Sequence, residues 1–119
     1  MSSLKLTLQS PEQIAYFLGA NNYCWLYFRN GEKKLLAKPL RYIETQLPDF
    51  VRVHRTVLLN PTYIRRLRQL PYTKGAGEVH LLSGEVFAVS RRRWPLLTQR
   101  LPTLPITASA HPEPAELSA

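Results

Sequence analysis

The densest chemistry in this chain is cationic. Arg91, Arg92 and Arg93 follow one another directly after Ser90. A guanidinium is always charged and presents five N–H donors in a flat fork, which matches two acceptors side by side, such as guanine O6 and N7 or a pair of phosphate oxygens. Three successive side chains on a helix diverge by about 100° each. One of them can therefore aim at a base edge while its neighbours face flanking phosphates; the plainer alternative is a solvated basic helix start, with Ser90 as its N-cap. His54-Arg55 interrupts an apolar run that resumes at Val57. A polar pair at such a break is either a bulge turned to solvent or a recognition loop. Neutral imidazole both donates and accepts, which suits purine edges and suits equally a bond that braces the backbone. Asn22, in the loop Gly19-Ala20-Asn21-Asn22, has the amide that pairs with adenine N6 and N7, or else holds a left-handed turn.

Other chemistries find no support. The histidines His54, His80 and His111 are scattered, and the eight acids form no evident carboxylate pair. Gly-rich phosphate loops and the GxSxG and HExxH patterns are absent. No catalytic residue, metal site or cofactor is expected. A single cysteine, Cys24, cannot close an internal disulfide and reads as a small buried hydrophobe. Apolar runs such as Val57-Leu58-Leu59 are far too short to span a bilayer, and the amino terminus has no export pattern, so a cytoplasmic location is expected.

Charge favours a polyanionic partner. The formal net charge is +8; residues 1–102 hold all 16 Lys and Arg against six acids, a charge of +10, and residues 103–119 hold only Glu113 and Glu116. Lys33, Lys34 and Lys38, with Arg65, Arg66 and Arg68, are phosphate clamps or plain solubilising charge.

The elements that must position these side chains are mostly short strands. Leu4, Leu6 and Leu8 alternate as an edge strand would, and Ile14 to Leu18 is a second apolar run. Tyr23 to Phe28 and Lys33 to Ala37 flank Asn30-Gly31, a strong hairpin signal. Pro39 suits the first turn of a short helix whose stripe is Leu40, Ile43 and Leu47, ended by Pro48-Asp49. Phe50 to Leu59 is strand-like on both sides of the His54-Arg55-Thr56 break, and Asn60 ends it by bonding backbone. Tyr63 to Leu70 is another strand, and Glu78 to Leu82 pairs with Glu85 to Val89 around Ser83-Gly84. Trp94, Leu97 and Leu101 have helical spacing. From Thr103 onward Pro, Ala, Ser and Thr show no periodic pattern, so residues 1–102 read as one domain and 103–119 as a disordered tail. Tyr23, Trp25, Tyr27 and Phe28 read as packing; an exposed stripe of the first three would instead favour an RNA-binding β domain.

The run FVRVHRTVLLNPTYI (Phe50 to Ile64) together with VFAVSRRRW (Val86 to Trp94) resembles the LytTR DNA-binding domain of bacterial transcription regulators. NNYCWLYFRNG (Asn21 to Gly31) and PLRYIETQL ahead of Pro48 add to the likeness, which covers roughly residues 4–102. The resemblance implies an elongated stack of small antiparallel sheets with one or two short helices. It implies sequence-specific binding of double-stranded DNA, with loops entering successive major grooves at direct repeats. Base contacts then fall on Asn22, His54, Arg55 and Arg91, and phosphate contacts on Arg92, Arg93, Lys33, Lys34, Lys38, Arg65 and Arg66. A weak homodimer on DNA and an upstream sensor or partner protein are further partners of this reading, and a membrane is not. Many relatives carry a receiver domain, for which 119 residues leave no room, and many have Ser where Thr56 stands. Pro95, close inside the terminal helix, delays its first full turn. An RNA-binding β domain and a protein-interaction module are the alternatives.

Overall fold

A computed structural model of the protein describes residues 8–70, 76–102 and 106–108. Strands β1 (Ile14–Ala20), β2 (Tyr23–Phe28) and β3 (Lys33–Leu36) come first, then helix α1 (Leu40–Gln46), then β4 (Val51–His54) and β5 (Val57–Leu59). Strands β6 (Ile64–Gln69), β7 (Gly77–Leu81) and β8 (Val86–Val89) follow, with helix α2 (Trp94–Arg100) and a last strand β9 (Ile106–Ala108). They form a five-stranded sheet ordered β3-β2-β1-β5-β4 and a four-stranded sheet ordered β8-β7-β6-β9. The described residues span 49 × 29 × 26 Å. The mostly β fold with two short helices is the one the sequence leads to.

The five-stranded sheet has an apolar layer on each face, because its strands alternate two sets of buried side chains. Phe17, Cys24, Leu26, Leu36 and Leu58 point one way and pack against Leu40, Ile43 and Leu47 of the α1 stripe. Tyr16, Val51, Val53, Val57 and Leu59 point the other way, onto Leu67, Val79, Leu81 and Val89 of the second sheet and onto Trp94 and Leu97 of α2. An irregularity in β1 between Ile14 and Tyr16 lets Ala15 and Tyr16 both enter this second layer. Burial pushes the Cys24 thiol up to about 11 and, as the largest cause, the Tyr16 phenol up to about 12.

Two hairpins share one turn design. In each, a glycine N–H returns to the carbonyl three residues back, Gly31 to Phe28 and Gly84 to Leu81, both at 3.0 Å. Their φ angles are +95° and +104°, values that only glycine adopts cheaply. Asn30-Gly31 thus closes a three-residue loop, not the two-residue turn that this dipeptide also forms. Asn60 is buried and accepts from the Thr62 N–H while donating to the Ile14 carbonyl at 2.8 Å, which ties the end of β5 to the start of β1.

Three expectations need correction. Residues 106–108, placed in the disordered tail, pair in parallel with β6 (Ile106 beside Leu67, Ala108 beside Gln69); three small or β-branched residues between prolines carry no period to read. Pro39 is the N-cap of α1 and lies outside its first turn. Ser90 is not the N-cap of α2: Arg93 is, and Ser90 contributes its carbonyl, which accepts the N–H groups of Arg93 and Trp94 at 3.1 and 2.9 Å. Pro95 sits in the first turn of α2, so the arginine triplet forms an irregular turn ahead of the helix. The strand expected through Leu4 and Leu6, residues 71–75 between β6 and β7, and residues 103–105 and 109–119 lie outside the described residues.

Candidate nucleic-acid interface

Three loops meet at one side of the molecule, and the backbone holds them together. The β4–β5 turn, His54 to Thr56, lies in the middle. Its Thr56 carbonyl accepts the Gly19 N–H at 2.8 Å, from the end of β1 where the Asn21-Asn22 turn begins. On its other side the Val53 carbonyl accepts the Ser90 N–H at 3.2 Å, directly ahead of the arginine triplet. Residues 22, 55 and 91 are far apart in the chain, yet each lies within a few residues of one of these two bonds.

Two open depressions record the result. One, of about 710 Å³, is lined by Asn22, Tyr23, Arg41, Arg52 and Arg55 among others. The other, of about 720 Å³, is lined by His54, Arg55, Ser90 and the Arg91–Arg93 triplet. Arg55 lies on the ridge they share. The lining of the pair includes six arginines and no carboxylate among the described residues. The described acids sit elsewhere: Glu12 and Glu32 beside Arg29, Asp49 beside Asn60, Glu78 beside His80, and Glu85 in the β7–β8 turn. Glu44 alone approaches, and its carboxylate is held by Arg52 at 2.6 Å. Like charges focused in concave walls attract an anionic polymer over a distance.

The sequence candidates divide. Asn22, Arg55, Arg91 and Arg92 are exposed, and His54 and Arg93 are half-buried, all six on this face. The left-handed residue of the first loop is Asn21, with φ +59°, so Asn22 is released from the turn role and its amide stands in the open. The His54 ring contacts Thr56 Oγ1 at 3.1 Å through Nδ1, so this ring braces its own turn. Lys33 and Lys34 on β3, Lys38 after it, and Arg65 and Arg66 on β6 line neither depression. Lys33 lies over the Trp25 ring and Lys38 over the Tyr42 ring, each 4.8 Å from the centroid.

Three residues on this face were not legible as site residues. Tyr23, read as packing, is 52% exposed beside Asn22. Arg41 follows Leu40 in α1, and the inward Leu40-Ile43-Leu47 stripe leaves it on the outer face; that spacing was the available signal. Arg52 alternates with buried Val51 and Val53, which says only that it faces away from the inner layer. The aromatic stripe that would favour unpaired RNA is not assembled: Trp25 is covered by Lys33, and Tyr27 stacks on Tyr16 at 4.6 Å.

A family model described as the LytTr DNA-binding domain matches residues 5–102. The chain belongs to that family. A curated relative, the positive alginate biosynthesis regulatory protein of Pseudomonas aeruginosa, is 34% identical over 88 residues, 68% of this chain and 33% of that one. The LytTr domain here thus spans a third of the relative's length. Among solved structures, the LytTr DNA-binding domain of a Bacillus cereus protein described as a methyl-accepting/DNA response regulator superposes with a TM-score of 0.66 at 20% identity. The match covers 76% of this chain and 82% of that one, a likeness of fold. No helix among the described residues of this LytTr domain is long and apolar enough to cross a membrane.

Proposed function

We propose that this LytTR domain reads double-stranded DNA by sequence in transcription regulation, with its loops in successive major grooves at direct repeats. Asn22 and Arg91 contact bases from the two outer loops, and Arg55, with His54 bracing its turn, contacts them from the ridge between. Arg92 and Arg93 take the flanking phosphates. Lys33, Lys34, Lys38, Arg65 and Arg66, which line neither depression, act through the general positive field that draws a duplex in. The observation that carries the reading is the shared position of Arg55: one residue borders both depressions and so joins three loops into one surface with no carboxylate in its lining among the described residues.

The test is selection of bound sequences from random duplex DNA at two salt concentrations. Phosphate contacts weaken with salt for every sequence, whereas base contacts keep their preference. The expected result is a motif of two similar direct repeats, about one helical turn apart, that survives at the higher salt. Recovery of no motif at either salt would refute sequence reading, and an inverted repeat would refute tandem docking.

A further inference from the structure

The exposed Arg55 sits at the apex of a turn, where a side chain is aimed only as well as its backbone is held. Beside the His54 ring and the flanking backbone bonds, a second arginine holds this backbone. Arg52 Nε donates to the His54 carbonyl at 3.1 Å, and its Nη2 donates to the Arg55 carbonyl at 2.5 Å. Its Nη1 donates to Glu44 Oε1 of α1 at 2.6 Å. The guanidinium is thus wrapped by the turn it serves, and its side chain is only 16% exposed. A planar fork can satisfy two carbonyls and a carboxylate at once; an ammonium on a flexible stem presents a point charge and no fixed plane. The β4–β5 pairing shifts register between Arg52 and His54 before resuming at the His54–Val57 pair, so the two carbonyls that Arg52 holds flank the irregular end of this hairpin.

We propose that Arg52 is a positioning residue for DNA reading: it clasps the His54 and Arg55 carbonyls, with Glu44 as its anchor, and so fixes the direction in which Arg55 is presented. The inference rests on the base-reading role proposed for Arg55. It assigns to Arg52 an effect on discrimination without a phosphate contact of its own. The rival role is open to direct comparison, since Arg52 also borders the depression that holds Asn22.

The test uses the full chain and compares Arg52→Ala, Arg52→Lys and Arg55→Ala, and the double variant, on the selected duplex and on random duplex across a salt series. Circular dichroism and thermal melting confirm that each variant folds. Arg52→Ala and Arg52→Lys should both lose about tenfold or more of the cognate-to-random ratio, the scale of one base contact, with the salt slope unchanged. In the Arg55→Ala background Arg52→Ala should add little further loss, because it acts through that side chain. Glu44→Gln, which keeps both carbonyl bonds, gives a milder loss and is the reference if Arg52→Ala melts early. Equal weakening on both duplexes, a slope shallower by about one, and rescue by lysine would make Arg52 a phosphate contact and overturn the proposal. So would an intact ratio in Arg52→Ala. Failure of Arg55→Ala itself to lower the ratio would instead overturn the base-reading role, and the two failures are thereby told apart.

Discussion

Arg91 and Arg92 are neighbours of one chemical type, and what separates them is the direction a turn gives each. Arg91→Ala should lower affinity for the selected duplex by the ~1–3 kcal/mol of a bidentate base contact, while random-duplex affinity falls modestly. Arg92→Ala should weaken both duplexes alike and make the plot of log affinity against log salt shallower by about 0.9, as expected for one phosphate. Filter binding or anisotropy across a salt series reads both, and identical behaviour of the two variants would refute the division. Much at this scale was legible beforehand. A polar pair breaking an apolar run has few uses, and His54-Arg55 stood out for that reason; Asn60 was read as a backbone-bonding residue, as it is. Arg52 was not legible, because its partners are two carbonyls and a carboxylate on another element, and no spacing along the chain encodes that convergence. The assignment of the left-handed position to Asn21 was equally hidden, since both asparagines tolerate that geometry.

At the scale of elements, the strands and helices were readable because period and punctuation agree. Alternation places β2, β4 and β7, the Gly31 and Gly84 turns bound the hairpins, and the Leu40-Ile43 and Trp94-Leu97 spacings mark α1 and α2. The packing between elements was less so. Gly77 opens β7 directly under the Trp94 ring that begins α2, and a Cβ there would collide with that ring and lie 2.8 Å from the Arg68 carbonyl. Nothing about a glycine at a strand start announces such an approach. Gly77→Ala should therefore destabilise the fold by ~1–3 kcal/mol, the usual scale of overpacking, measured by urea unfolding. Because Trp94 follows Arg93 directly, the variant should also lose part of the Arg91-dependent discrimination under conditions where it remains folded. Unchanged stability would mean that α2 can move aside at no cost.

For the molecule as a whole, the limit of stability should lie on the alkaline side. Cys24 and Tyr16 are buried in opposite layers of the five-stranded sheet, and both are harder to ionise folded than unfolded: about 11 against 9.0 for the thiol, and about 12 against 10.0 for the phenol. The unfolded chain releases these protons first, so stability is intact below pH 9 and is lost as pH rises through the folded values. Thermal melting from pH 7 to 11 should show a falling midpoint above pH 9, and Cys24→Ala should shift the onset of that fall towards pH 10. An onset unmoved by the substitution would assign the loss to other groups. A further consequence follows from β9. Since it runs parallel to β6, with Ala108 level with Gln69, Gly77 and Val89, β9 finishes at the same end of this sheet as β8, which leads into Ser90 and the three arginines, although the two strands form its opposite edges. The segment around Pro11, held by the Asn60 amide, enters at the far extremity. A fluorophore or fused protein attached ahead of residue 11 would trail behind a bound duplex, whereas the same cargo joined after Ala108 would begin its path at the crowded end.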